Sequence, residues 1–93
     1  MRSIRVALAQ INANVGAIDH NADRILQVYQ TAADSCADVV IFPELTITGY
    51  PPEDLLLRPA FVNAATHAIA QVARSIGETA AIIGGPILGR DLA

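Results

Sequence analysis

Apolar residues fall along this 93-residue chain in two periods, and the changes of period divide it into elements. Near the start, Ile4, Val6 and Leu8 alternate with Arg5, Ala7 and Ala9, which predicts a strand whose small-residue face lets another layer approach closely. Ile18, Ala22, Ile25, Leu26, Tyr29, Ala33 and Cys36 then recur at steps of three and four. That spacing predicts a helix over roughly 18–35, with Asp19 and Asp23 at the end where acids suit the helix dipole. The unbroken run Val39-Val40-Ile41-Phe42 reads as a fully buried strand, and Pro43, which has no N–H to donate, should end its pairing. Gly49, Pro51 and Pro52 make the next segment a structured loop, followed by a short helical turn at Glu53 to Leu57. Pro59 suits the first turn of a second helix with the stripe Phe61, Ala65, Ile69, Val72 and Ile76 and with Gly77 as its stop. Thr79 to Gly84 form the third predicted strand. The order β-α-β-loop-α-β implies right-handed crossovers and a parallel sheet, so the fold class is α/β.

Composition narrows this picture. The chain is 53% hydrophobic but only 4% aromatic, so its core must be built from Ala, Ile, Leu and Val, which suits helices packed closely on parallel strands. A chain of this length forms one small domain that buries roughly 60 to 70% of its unfolded surface, and a second domain does not fit. The net charge of -3 comes from nine acids against six scattered arginines and no lysine, which argues against a nucleic-acid or anionic-membrane partner. No apolar run approaches the roughly 18 residues of a membrane span, and Val6-Ala7-Leu8-Ala9 is too short for a signal-peptide core. A cytoplasmic protein is the default expectation, and the single Cys36 agrees with a reducing compartment.

The segment that carries chemistry runs from Phe42 to Pro59. Glu44 sits at the carboxyl end of a predicted parallel strand, where ligands bind and catalytic groups collect in open α/β sheets. Taken alone it is as well explained as a solvated acid after a strand. Around it, Arg5-Val6-Ala7-Leu8-Ala9-Gln10-Ile11-Asn12, Val15-Gly16, Asn21, Ala37 to Leu45 and Thr48-Gly49-Tyr50 together resemble the start of the nitrilase, or carbon-nitrogen hydrolase, superfamily. Within it, Tyr50-Pro51-Pro52-Glu53-Asp54-Leu55-Leu56-Leu57-Arg58-Pro59 is similar to the N-terminal glutaminase branch found in glutamine-dependent NAD synthetases.

The resemblance implies an αββα sandwich, of which this chain would be the incomplete opening β-α-β-α-β part, and a Glu-Lys-Cys triad in which Glu44 stands at the glutamate. It implies glutamine as the substrate, with ATP and magnesium needed only in a synthetase domain that these residues do not include, and a homo-oligomeric full enzyme. Tyr50 would line the substrate pocket, although a Tyr before two prolines also reads as a packing residue. The family's lysine has no counterpart here, and Cys36 precedes Glu44 whereas the family's nucleophile comes much later. Cys36 is expected to be a small buried hydrophobe at the end of the first helix's stripe.

The implied chemistry explains why a carboxylate is wanted. A thiol is only slightly ionised at neutral pH, so a neighbouring carboxylate takes its proton as sulfur attacks the amide. It then protonates the departing nitrogen and later activates water against the thioester, roles best served by a buried carboxyl group. A lysine ammonium would stabilise the tetrahedral oxyanion.

The remaining candidates have plainer readings. His20 and His67 lie on separate predicted helices without ligand spacing, so no metal site is expected. Gly84-Gly85-Pro86 lacks the rest of a phosphate loop and reads as a turn. Glu53, Asp54 and Arg58 read as a surface helical turn, with an ion pair or an interdomain contact as the alternative. Because two helices cannot cover both faces of three strands, the 93 residues alone are expected to be truncated and either aggregation-prone or only loosely folded, and without the family's lysine and nucleophilic cysteine they are expected to be inactive. Two other functions fit the same residues: part of a different amidase of the superfamily, or a non-catalytic module that pairs its open sheet edge with a homologue.

Overall fold

In the computed structural model, which describes residues 3–86, the chain forms β1 (Val6–Leu8), α1 (Ile18–Asp34), β2 (Val39–Ile41), a 3-10 turn (Glu53–Leu57), α2 (Pro59–Arg74) and β3 (Ala80–Ile82). The three strands are parallel in the order β1-β2-β3, with Val6, Val39 and Ala80 in one row, Ala7, Val40 and Ala81 in the next, and Leu8, Ile41 and Ile82 in the third. The α/β class and the sequence order of elements are as expected, and the strands are shorter than the apolar runs that announced them.

Two crossovers of one hand in a consecutive strand order put both helices on the same side of the sheet. Here that side carries Ala7, Val40 and Ala81, and its core joins Ile25 and Tyr29 of α1, Ala65, Ala68 and Val72 of α2, and Val40, Phe42 and Ile47. The alternation at the amino end has the predicted sense: Ala7 and Ala9 face the packed layer and are partly buried against it, with a hollow left between them and α1. Ile4, Val6, Leu8 and Ile82 point the other way and are exposed.

Three local expectations are corrected. The buried stripe of α2 is Val62, Ala65, Ala68 and Val72, so it is turned away from Phe61, Ile69 and Ile76, which are only partly buried. Small residues at 65 and 68 allow α1 and α2 to pack side by side, and that contact sets the phase of the helix. The helix ends at Arg74 with Ser75 as its C-cap, one residue earlier than a stop at Gly77 required. The Gly77 N–H instead donates to the Tyr29 hydroxyl at 2.9 Å, and that hydroxyl donates to the Thr79 carbonyl at 2.7 Å, tying α1 to the entry of β3. Cys36, expected to be buried, is exposed. It lies just past the end of α1 with φ +64°, and this left-handed residue turns the chain toward β2 and swings the thiol off the helix's inner face.

Candidate active site

The site is built by the way β2 ends. The Phe42 N–H still reaches the Ile82 carbonyl at 3.0 Å, and on the other side the Ala9 N–H reaches Ile41 at 2.9 Å. Pro43 then removes the next donor, and the chain leaves the sheet in a tight turn over residues 44–48. Leu45 takes φ +57°, a left-handed conformation that costs a non-glycine residue of order 1–3 kcal/mol unless its surroundings enforce it. The surroundings do enforce it. Gly49 N–H donates to Leu45 O at 2.9 Å, the Thr46 hydroxyl donates to Pro43 O, and the Thr48 hydroxyl donates to Leu45 O at 3.2 Å. Both threonines are buried, and between them Ile47 is driven fully into the core, which anchors the turn to the helix layer.

A second strand end supplies the facing wall. Residues 11–17 run out of β1 and lie against this turn, with Gly16 N–H donating to Thr48 O at 2.9 Å. The approach is so close that a Cβ on Gly49 would stand 2.6 Å from the backbone N and Cα of Val15, and Gly49 itself has φ +79°. Only glycine meets both demands. Asn21 of α1, 1% exposed, completes the junction: its Oδ1 accepts from Asn14 N–H at 3.0 Å, while its Nδ2 donates to Asn14 O at 2.8 Å and to Ile47 O at 3.0 Å. Sequence reading placed Asn21 in a familiar pattern without giving it a task. A polar residue on the inward side of an otherwise apolar helical stripe was the signal available.

Between the walls lies a cleft of about 140 Å³ lined by Ile11, Asn12, Ala13 on one side and Pro43, Glu44, Leu45, Thr46 and Tyr50 on the other. Glu44 and Tyr50, the two predicted site residues, are thus brought to one cleft, both exposed at its mouth. A larger hollow of about 720 Å³ lies along the edge of β1 beside α1, bordered by Arg5, Leu8, Arg24 and Val28 among others. Its lining includes the hydroxyls of Thr31 and Ser35 but no carboxylate, imidazole or thiol to act with them, so the smaller cleft, which holds Glu44, is the candidate site. Cys36 lies at the far end of the sheet from Glu44, just before β2 rather than after it, and does not join the cleft. His20 and His67, read as unrelated, do share a groove between α1 and α2, but no trio of His, Cys, Asp or Glu suited to a metal occurs among the described residues. Asp54 and Arg58 are exposed in and after the 3-10 turn, as a surface turn requires.

The model of the carbon-nitrogen hydrolase family matches residues 5–89. The chain belongs to the carbon-nitrogen hydrolase family. Among curated relatives, the glutamine-dependent NAD(+) synthetase of Xanthomonas campestris is 46% identical over 85 residues, which is 90% of this chain and 15% of that protein. The structure of the glutamine-dependent NAD+ synthetase from Acinetobacter baumannii, in complex with adenosine diphosphate, superposes with a TM-score of 0.88 at 36% identity, over 96% of this chain and 17% of that one. An amidase from Nesterenkonia sp. AN1, solved as a double mutant with one glutamate and one cysteine replaced and in complex with acrylamide, has a TM-score of 0.65 at 28% identity over 77% of this chain and 28% of its own. This carbon-nitrogen hydrolase chain therefore spans about 15% of the length of the synthetases it resembles. The resemblance read from Tyr50 to Pro59 points the same way as these matches. No helix among the described residues is long and apolar enough to cross a membrane.

Proposed function

We propose that this chain supplies the glutamate side of a glutamine-hydrolysing site in an NAD synthetase, with Glu44 as general base and Tyr50 as a substrate contact. The observation that carries the reading is the placement of Glu44 on a braced turn at the carboxyl end of β2, beside Tyr50 in one cleft. The similarity to glutamine-dependent NAD synthetases supplies the substrate class.

The nucleophilic thiol and the lysine of the implied triad lie outside these 93 residues, which contain no lysine and hold Cys36 away from the cleft. Glu44 takes the thiol proton as sulfur attacks the glutamine side-chain amide, and the lysine ammonium holds the resulting oxyanion. The proton passes from Glu44 to nitrogen as the C–N bond breaks and ammonia leaves, and a thioester remains. Glu44 next draws a proton from water, whose oxygen displaces the thiol and releases glutamate. Tyr50, with its ring at the mouth of the cleft, orients the bound amide. ATP and magnesium serve the later amidation of the nicotinate dinucleotide, and no step at Glu44 requires them. The 93 residues alone are inactive on this reading.

The test is a chimaera in which this chain replaces the matching segment of the Xanthomonas campestris synthetase. It should form NAD from glutamine, and Glu44→Gln should lower that rate by roughly 10² to 10⁴-fold, the usual contribution of a general base, while NAD formation from added ammonia continues. Glutamine turnover by Glu44→Gln at the parent's rate would sink the proposal. A second reading, hydrolysis of a small amide, is favoured by the Nesterenkonia amidase likeness. It predicts that the complete gene product cleaves acrylamide or a similar amide and makes no NAD from either nitrogen source.

A further inference from the structure

We propose that Asn21 is the positioning residue of the Glu44 cleft: one buried carboxamide sets the separation of its two walls and so the aim of Glu44. The inference rests on the reading of Glu44 as general base for its catalytic consequence, but the clamp itself is read from geometry alone.

The two walls come from different parts of the chain. Ile11, Asn12 and Ala13 immediately precede Asn14, and Pro43 to Thr46 immediately precede Ile47. Asn21 bonds the backbone of the residue that directly follows each of these runs, accepting from Asn14 N–H and donating to the carbonyls of Asn14 and Ile47. Because a backbone N–H can only donate, Oδ1 must face Asn14 N, and the amide's orientation follows without ambiguity. Both Nδ2 hydrogens are then used on carbonyls. No other side chain of this size offers one acceptor and two donors in a plane: Asp would turn an oxygen on two carbonyl oxygens, Leu would fill the space and bond nothing, and Gln would be a methylene too long.

Asn21 is itself held firmly. It sits in the first turns of α1, its own N–H bonded to Ala17 O at 2.9 Å, with Ile25 buried one turn later. The helix is thus the rigid body to which both walls are referred, and the Gly16 to Thr48 bond only ties the walls to each other. Removing the carboxamide leaves three backbone groups in a buried junction without their partner, and the turn carrying Glu44 is free to shift. Misplacement of a reacting group by about 1 Å costs roughly 10²-fold in rate.

The test compares Asn21→Ala, the gentler Asn21→Ser and Tyr29→Phe in the complete gene product. Tyr29→Phe removes a buried tie of the same helix to Gly77 and Thr79, far from the cleft. The first readout is the ratio of glutamine-supported to ammonia-supported NAD formation, expected to fall roughly 10²-fold in Asn21→Ala, mainly through kcat, and to stay at the parent value in Tyr29→Phe. The second is amide hydrogen exchange, expected to quicken over residues 44–49 in both Asn21 variants while Val39–Ile41 keep the parent's protection. Unchanged exchange over 44–49 overturns the proposal. So does a uniform rise over the whole chain with both reactions lost in parallel, since Asn21 would then support the fold and not the cleft. If the parent hydrolyses no glutamine, the reading of Glu44 fails, and the exchange pattern still decides whether Asn21 clamps the two walls.

Discussion

The two faces of the sheet are built from opposite materials. On the covered face, Ala7, Val40 and Ala81 form the central row, and Val40 is fully buried beneath both helices. On the other face, the rows Val6, Val39, Ala80 and Leu8, Ile41, Ile82 lie open, with Ile4 at 72%, Leu8 at 71% and Ile82 at 57% exposed. A half-solvated sheet normally alternates apolar inside with polar outside. Here the larger apolar side chains of β1 are the uncovered ones, and the small ones at 7 and 9 are partly buried against the core. Apolar residues on both faces are what a parallel sheet covered on both sides requires, so the strands carry the composition of a central layer although only one of its neighbours is among the described residues. Small residues under the helices are there for close approach; large ones on the open face hold area still to be removed from water.

That contrast can be broken by single substitutions on the covered and the open side. Val40→Asp, which puts a charge without a partner under both helices, should cost about 4 kcal/mol or more and abolish the cooperative urea transition. A folded, soluble Val40→Asp chain would mean that the helix layer does not seal this face. Ala65→Leu should cost about 1–3 kcal/mol, because its three added heavy atoms have no room where α2 packs against α1. Read by the shift of the urea midpoint, an unchanged value would place the close approach elsewhere. Leu8→Thr, on the open face, should move the midpoint by no more than about 0.5 kcal/mol and raise the monomer fraction of the 93-residue chain in sedimentation. A loss as large as that of Ala65→Leu would show that Leu8 is covered after all, and an unmodified chain that melts sharply as a monomer would remove the case for an unsatisfied face.

Much of this arrangement was legible in advance. The period-two run at 4–9, the three-and-four spacing from Ile18 and the apolar run ending at Pro43 each report a backbone geometry directly, so elements and their order followed from local physics. Glu44 was legible for the same reason: proline marks where the ladder stops, and a carboxylate at that place in a parallel sheet stands where ligands bind. The misreadings were all of phase or direction. The predicted α2 stripe had Ala65 and Val72 right, but the contact between helices buries Val62 and Ala68 in place of Phe61, Ile69 and Ile76. Cys36 continued the periodicity of α1 on paper, and one left-handed residue at the helix end put it outside. Asn21 could be seen but not understood, because its three partners lie 7 and 26 residues away in the chain.

What belonged to the chain's own order of residues was therefore everything set by neighbours within a turn or a strand: the alternation of elements, the end of β2, and the family likeness carried by the run from Phe42 to Pro59. What folding alone decided was which side of each element faces what. Whether Ala7 or Leu8 goes under the helices, which way α2 is rotated and how two loops close on Glu44 depend on contacts between segments distant in sequence. Such contacts carry no period of their own, and they are chosen by which packing buries the most surface while leaving no backbone group unpaired.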